Sequence, residues 1–348
     1  MQQVTTTSGT PLSHPAPRTV VVLGGGGSLG AFQAGGLLAL LEVGVPVDAL
    51  AGCSAGALNA AFLAADPSLA RARELAAFWA DPLTQRVLSP STWSRLRGLA
   101  GALTARGDAL LDARPLRRLV AAQLTAHEVS ELAVPLHVTT TCLDCGRAVH
   151  HASGPLAEVL MASCALPGLL PPVALPDGHR HVDGGVVCGV PVEAALARAG
   201  KQDRVLVLDC GLAPVTGTVG DCAALPGATG ACGLEPVPDR AYSAPEESSR
   251  GVLDVVLRAF TVARAVANHA AVAGALADPR VLVLPHVADA WAAGLLRGLP
   301  QGPRDFAGTP VLLAAGRAAT HAWLVAGGLD GPAAGTPRTR GAGLGAPA

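Results

Sequence analysis

Short apolar runs recur along this chain, separated by longer stretches whose apolar residues return at helical spacing. The runs are Thr19-Val20-Val21-Val22-Leu23, Val47 to Ala51, Pro135 to Cys142, Arg204 to Asp209 and Val281 to Leu284. Most are rich in valine and lack the polar alternation of a half-solvated strand, which predicts strands buried on both faces. Between them, Leu29 to Val43 is apolar around most of its circumference, as in a helix pressed against a sheet, and Gly44 closes it. A second helix follows Ser54 and stops near Asp66-Pro67, because the residue before a proline resists the α conformation. Val252 to Ala277, with Asp254 and Arg258 one turn apart, and Thr309 to Val325 complete the helical set. Strands and helices in alternation predict an α/β fold around a mostly parallel central sheet.

Other stretches break this rhythm. Residues 68–131 are helical but more polar, with Trp79, Trp93, Arg95 and Arg97 near breaks at Pro82 and Pro90, and read as a cap over the sheet. Pro135 to Cys142 leads through a Gly146 turn to a short strand, Ala148 to His150, and a helix begins near Pro155. Residues 1–18 and 329–348 have the Ser/Thr/Pro and Gly/Pro/Ala composition of disordered arms. Residues 211–249 lack periodicity over a length that exceeds an ordinary connection, and read as a flexible insertion. One catalytic domain is therefore expected over 19–328.

Composition narrows the function classes. A net charge of -1 and 3% aromatic residues give neither the charge nor the rings for nucleic acid. Although mean hydropathy is +0.41, the apolar residues are dispersed and no run is long enough to span a bilayer. The N-terminus has no basic start and no apolar core of a signal peptide, so the expected location is cytoplasmic. The eight cysteines lie scattered in apolar contexts, as free thiols do in a reducing compartment. Cys142-x-x-Cys145 has no second pair, and His179-x-His181 lacks a third ligand, so neither metal nor cofactor is expected.

The chemistry gathers at two turns. The first strand breaks on Gly24-Gly25-Gly26-Gly27-Ser28-Leu29-Gly30 and passes into a helix, a bare backbone whose N–H groups can converge on an anion. Gly25-x-Gly27-x-x-Gly30 also fits a dinucleotide fingerprint, yet Asp48 opens the second strand where a ribose-binding acid would end it. That strand ends instead in Gly52-Cys53-Ser54-Ala55-Gly56, a G-x-S-x-G elbow that exposes a serine on a strained turn. The anion is then an oxyanion, with Gly25, Gly26, Gly27 and Gly30 as N–H donors while Ser54 attacks a carbonyl. Further on, Asp183-Gly184-Gly185 sets an acid at a strand end ahead of two glycines.

Taken in order, the glycine run, the elbow, Ala162-Ser163-x-x-x-Pro167-x-x-x-Pro171-Pro172 and Asp183-Gly184-Gly185 resemble patatin-like phospholipases of the bacterial type, over residues 19–325. The resemblance implies a three-layer α/β/α fold and lipid acyl hydrolysis, with Ser54 as nucleophile and Asp183 as base. Its partners would be lipid or phospholipid acyl esters, with peripheral membrane contact. Two positions depart from the family pattern: Leu29 stands where Arg or Lys is usual, and Cys188-Gly189 where a polar pair often precedes Pro191. Two other classes stay open. A Ser-Asp-His triad would draw on His269, His286 or His321, although its hole motif normally starts with His where this chain has Leu23. A lipid-binding module with an inactive site is the other.

Overall fold

The computed structural model of the chain describes residues 17–88, 109–210, 252–292, 296 and 306–330. Its sheet is built from β1 (Thr19–Leu23), β2 (Ala49–Cys53), β3 (Leu136–Cys142), β4 (Ala148–His151), β5 (Val173–Ala174), β6 (Arg180–Asp183), β7 (Arg204–Leu208) and β8 (Val281–Val283). The order is β5-β6-β3-β2-β1-β7-β8, with β4 also on β3. Pairings β3/β2, β2/β1, β1/β7 and β7/β8 are parallel, whereas β3/β4, β3/β6 and β5/β6 are antiparallel.

Side-chain alternation along β1 separates two cores, and thereby three layers. Val21 and Leu23 face one cluster with α1 (Gly30–Glu42), α2 (Ala55–Ala64), α3 (Leu69–Ala80) and a helix at Leu156–Ser163. Val20 and Val22 face a smaller cluster with Val192 and Ala195 from a short helix and with Ala275 at the end of the long helix Val252–Ala275. The final helix, Thr309–Val325, has the predicted bounds and packs against α1. α4 (Pro82–Leu88) and α5 (Arg114–Gln123) are further helices within residues 68–131.

Some boundaries differ from the sequence reading. The second strand begins at Ala49 rather than Val47, and Asp48 just before it exchanges two bonds with Thr19: its carboxylate accepts the Thr19 N–H at 2.7 Å and its own N–H donates to Thr19 O at 2.9 Å. Arg18, expected within a disordered arm, bonds Asp203 through its main chain and its guanidinium. At the other end, Leu329 packs on the core. The insertion at 211–249 and the residues Trp93, Arg95, Arg97, Cys222 and Cys232 lie outside the described residues. The remaining cysteines are free thiols. No helix among the described residues is long and apolar enough to cross a membrane.

The register on β3 brings the second turn to the first. β2 and β4 both pair Val138 and Thr139, and β4 and β6 both pair Thr140 and Thr141, so β2 and β6 must share one edge of β3. β2 ends at Cys53 opposite Thr139, and β6 ends at Asp183 opposite Thr140. Two strands running in opposite directions thus stop on adjacent residues of a third, and the residues at their ends meet.

Candidate active site

At that meeting point Ser54 Oγ donates to Asp183 Oδ2 at 2.6 Å. Ser54 has φ 54° and ψ -126°, and is the non-glycine residue with positive φ among the described residues. Such backbone costs about 1–3 kcal/mol and must be held by its surroundings. The flanking glycines permit it by close approach. A Cβ on Gly52 would lie 2.7 Å from Gly56 O, and one on Gly56 would run into Leu23 O. Ser163 holds the turn from the other side, its hydroxyl accepting the Ser54 N–H at 2.8 Å and donating to Thr139 O at 2.7 Å. It extends the β2/β3 ladder one step past the last true pair. The motif containing Ser163 stands out in the sequence, but this role depends on strand register and does not.

Asp183 is fully buried. Its Oδ1 accepts the Gly185 N–H at 2.7 Å and faces the Cys53 thiol at 3.8 Å, leaving Oδ2 to Ser54. Burial raises its pKa above the ordinary carboxylate value, while nearby Arg264, Ser54, Gly185 and Cys53 pull the other way. Gly184 sits tight against Thr139 O, where a Cβ would lie at 2.5 Å. The acid is thereby pinned on a turn that admits almost no adjustment.

The glycine run is less uniform than its sequence. Gly25 N–H donates to Gly189 O at 2.9 Å, and Gly30 N–H turns back to Gly27 O within a short 3-10 helix, Gly27–Leu29. Of the four expected donors, Gly25 and Gly30 are therefore committed elsewhere. The amides of Gly26 and Gly27 have no acceptor among the described residues, and Gly27 lines a cavity together with Ser54 and Asp183. A chain of buried amides that sequence reasoning missed braces this run: Trp79 Nε1 donates to Asn59, Asn59 to Gln33, and Gln33 to Gly24 O and Leu208 O. Leu29 is buried in the core cluster, so its side chain packs and does not face the cavity.

The cavity, about 180 Å³, is walled mainly by leucines and phenylalanines, among them Leu58, Leu116, Leu169 and Phe260. Trp79 combines packing with a place in that wall. The three histidines of the triad alternative lie elsewhere. His321 meets Glu42 at 2.8 Å, His286 lies 4.0 Å from Asp209, and His269 is exposed on the long helix. His179 and His181 diverge as well: His181 is buried between Thr140 and Asp177, and His179 points to Asp144. The turn after β3 does bring Cys142, Asp144 and His179 to within 4.8 Å of one another. There the Asp144 carboxylate is already taken up by the Arg180 N–H and His179.

The sequence model of the patatin-like phospholipase family matches residues 21–196, which hold the glycine run, the elbow and the acid. The chain belongs to the patatin-like phospholipase family. Human patatin-like phospholipase domain-containing protein 6 is 32% identical over 192 residues, 55% of this chain and 13% of that protein. Neuropathy target esterase sws of Drosophila melanogaster is 29% identical over 174 residues, 50% of this chain and 12% of that protein. The match thus spans about an eighth of these relatives' length. They are animal proteins and do not bear on the bacterial subtype expected from the sequence. Among solved structures, the ExoU-SpcU complex of Pseudomonas aeruginosa aligns at TM-score 0.38 and 17% identity, covering 90% of this chain and 52% of that one.

Proposed function

We propose that this member of the patatin-like phospholipase family is a lipid acyl hydrolase of phospholipase A or lysophospholipase type, working through Ser54 and Asp183. The observation that carries the reading is the 2.6 Å hydrogen bond between Ser54 Oγ and a buried carboxylate, at the wall of an apolar cavity. Serine is a weak nucleophile until a neighbouring base takes its proton. As Oγ forms its bond to the ester carbonyl carbon, its proton passes to Asp183 Oδ2, and the carbonyl electron pair moves onto oxygen. The Gly26 and Gly27 amides, supported by the braced run, receive that oxyanion. Collapse breaks the bond to the leaving alcohol, which takes the proton back from Asp183. Water, deprotonated by the same carboxylate, then hydrolyses the acyl-enzyme and frees the fatty acid.

The apolar wall suits an acyl chain, and the chain would meet its lipid as a peripheral cytoplasmic protein. Purified protein is expected to release fatty acid from phospholipid or lysophospholipid, and Ser54→Ala to abolish that release. Fatty-acid release retained by Ser54→Ala above a few per cent would overturn the reading, and no release from any acyl ester would favour the inactive lipid-binding module.

A further inference from the structure

The described part of the cavity holds a second charged residue. Arg264, on the long helix, lines the same space as Ser54 and Asp183 and is only 8% exposed. Among the described residues its guanidinium makes no hydrogen bond and no ion pair. The Phe260 ring centroid lies 6.0 Å from its Cζ. Asp183 lies nearby at Gly185, where an added Cβ would sit 2.9 Å from Asp183 Oδ1 and 3.4 Å from Arg264 Nη1. Yet both Asp183 oxygens are occupied by Ser54, Gly185 and Cys53, so Arg264 acts on that carboxylate through space alone.

A buried cation without a bonded counter-charge is costly, and a guanidinium is built to take two oxygens of one oxyanion at once. An acyl chain gains nothing from it, and the glycine run brings no cation of its own because Leu29 is in the core. Resting on the hydrolase reading above, we propose that Arg264 is an anion-recognition site inside the cavity, taking the phosphate of a glycerophospholipid whose ester is presented to Ser54. A carboxylate could use the same fork, but the carboxylate of a released fatty acid sits at the reacting carbon, between Ser54 and the Gly26–Gly27 amides. A headgroup phosphate lies several bonds away along the glycerol, which suits a cation that lines the same cavity but is bonded to neither Ser54 nor Asp183.

The test measures binding and turnover separately. By calorimetry, Ser54→Ala protein should bind dodecyl phosphate about 10- to 100-fold more tightly than the neutral dodecylglycerol ether or dodecanoate. Adding Arg264→Met should remove that preference, and Arg264→Lys should restore part of it. In turnover, Arg264→Met should lose at least tenfold more kcat/KM on a lysophospholipid than on a monoacylglycerol with the same chain, mainly through KM. Equal losses on both substrates, or an unchanged phosphate preference in Arg264→Met with its circular dichroism intact, would overturn the site. A preference for dodecanoate would overturn it too, in favour of a product-acid site. Should Arg264→Met fail to fold, Arg264→Lys alone decides, since wild-type phosphate preference in that variant excludes a bidentate fork. A phosphate preference without hydrolysis of any ester would refute the hydrolase reading and leave the anion site standing.

Discussion

Ser54 and Asp183 hang from the same edge of β3, but the two strands that deliver them do so by different physics. On the β2 side Ser54 is held by sterics, a strained residue fenced by Gly52 and Gly56 and tied by Ser163. On the β6 side Asp183 is also seated by a close glycine contact, Gly184 against Thr139 O, but its proton affinity is set by electrostatics, in a buried site where specific donors favour its charge against the cost of burial. Position and proton affinity are thus set by different contacts. Changes on the first side should act through stability and geometry, whereas changes on the second should act through charge and pH.

The largest contrast is expected from the acid itself. Asp183→Asn removes the basic oxygen, and kcat should fall at least about a thousandfold while the fold persists. Its stability should even rise at neutral pH. Because the folded pKa of Asp183 is raised, the fold favours its protonated form, and stability is lost as pH rises through that value. A neutral amide avoids that loss, so thermal melts of the two proteins should converge as pH falls. A variant markedly less stable than wild type at pH 7 would contradict the electrostatic half of the comparison.

On the steric side, Gly56→Ala drives a methyl into the Leu23 and Gly24 carbonyls and should cost about 2–4 kcal/mol, read by denaturant unfolding. Ser163→Ala is milder. It leaves the Ser54 N–H and Thr139 O without their bridge, a loss of about 1–3 kcal/mol, and should lower kcat about tenfold without moving its pH profile. A shifted profile would mean that Ser163 tunes charge and not position. The smallest effect is expected from His269→Ala, His286→Ala and His321→Ala, each retaining at least about a tenth of kcat, or about 1.4 kcal/mol at most. None of these histidines is bonded to Ser54 or Asp183 among the described residues. Collapse of any one to the level of Ser54→Ala would restore the triad.

What the sequence makes legible follows the range of the interactions. Gly52 to Gly56 could be read because strand, turn and helix are adjacent in the chain, and the paired glycines at 184 and 185 marked the acid in the same way. The donors of the glycine run could not be separated by sequence. Gly25 is spent on Gly189, far along the chain, and Gly30 on a 3-10 turn that the repeated glycines conceal. The antiparallel corner of β4, β5 and β6 was also hidden, since short strands carry little periodicity and their direction is set by pairing. Arg264 carries no local signal that separates it from other polar positions on the helix between Val252 and Ala277. Only the packing of that helix over Gly185 turns it toward the cavity.

In the proposed mechanism Asp183, with no histidine between, is the base that activates Ser54. The rate at which a fluorophosphonate phosphonylates the serine, forming the Oγ–P bond as fluoride leaves and followed by intact mass against pH, measures that activation without any choice of lipid. A single adduct on Ser54 is expected, forming faster as pH rises through a midpoint above the ordinary carboxylate range, and at least about a hundredfold slower in Asp183→Asn at every pH. An adduct on another residue, or an Asp183→Asn protein that labels at the wild-type rate, would contradict the account.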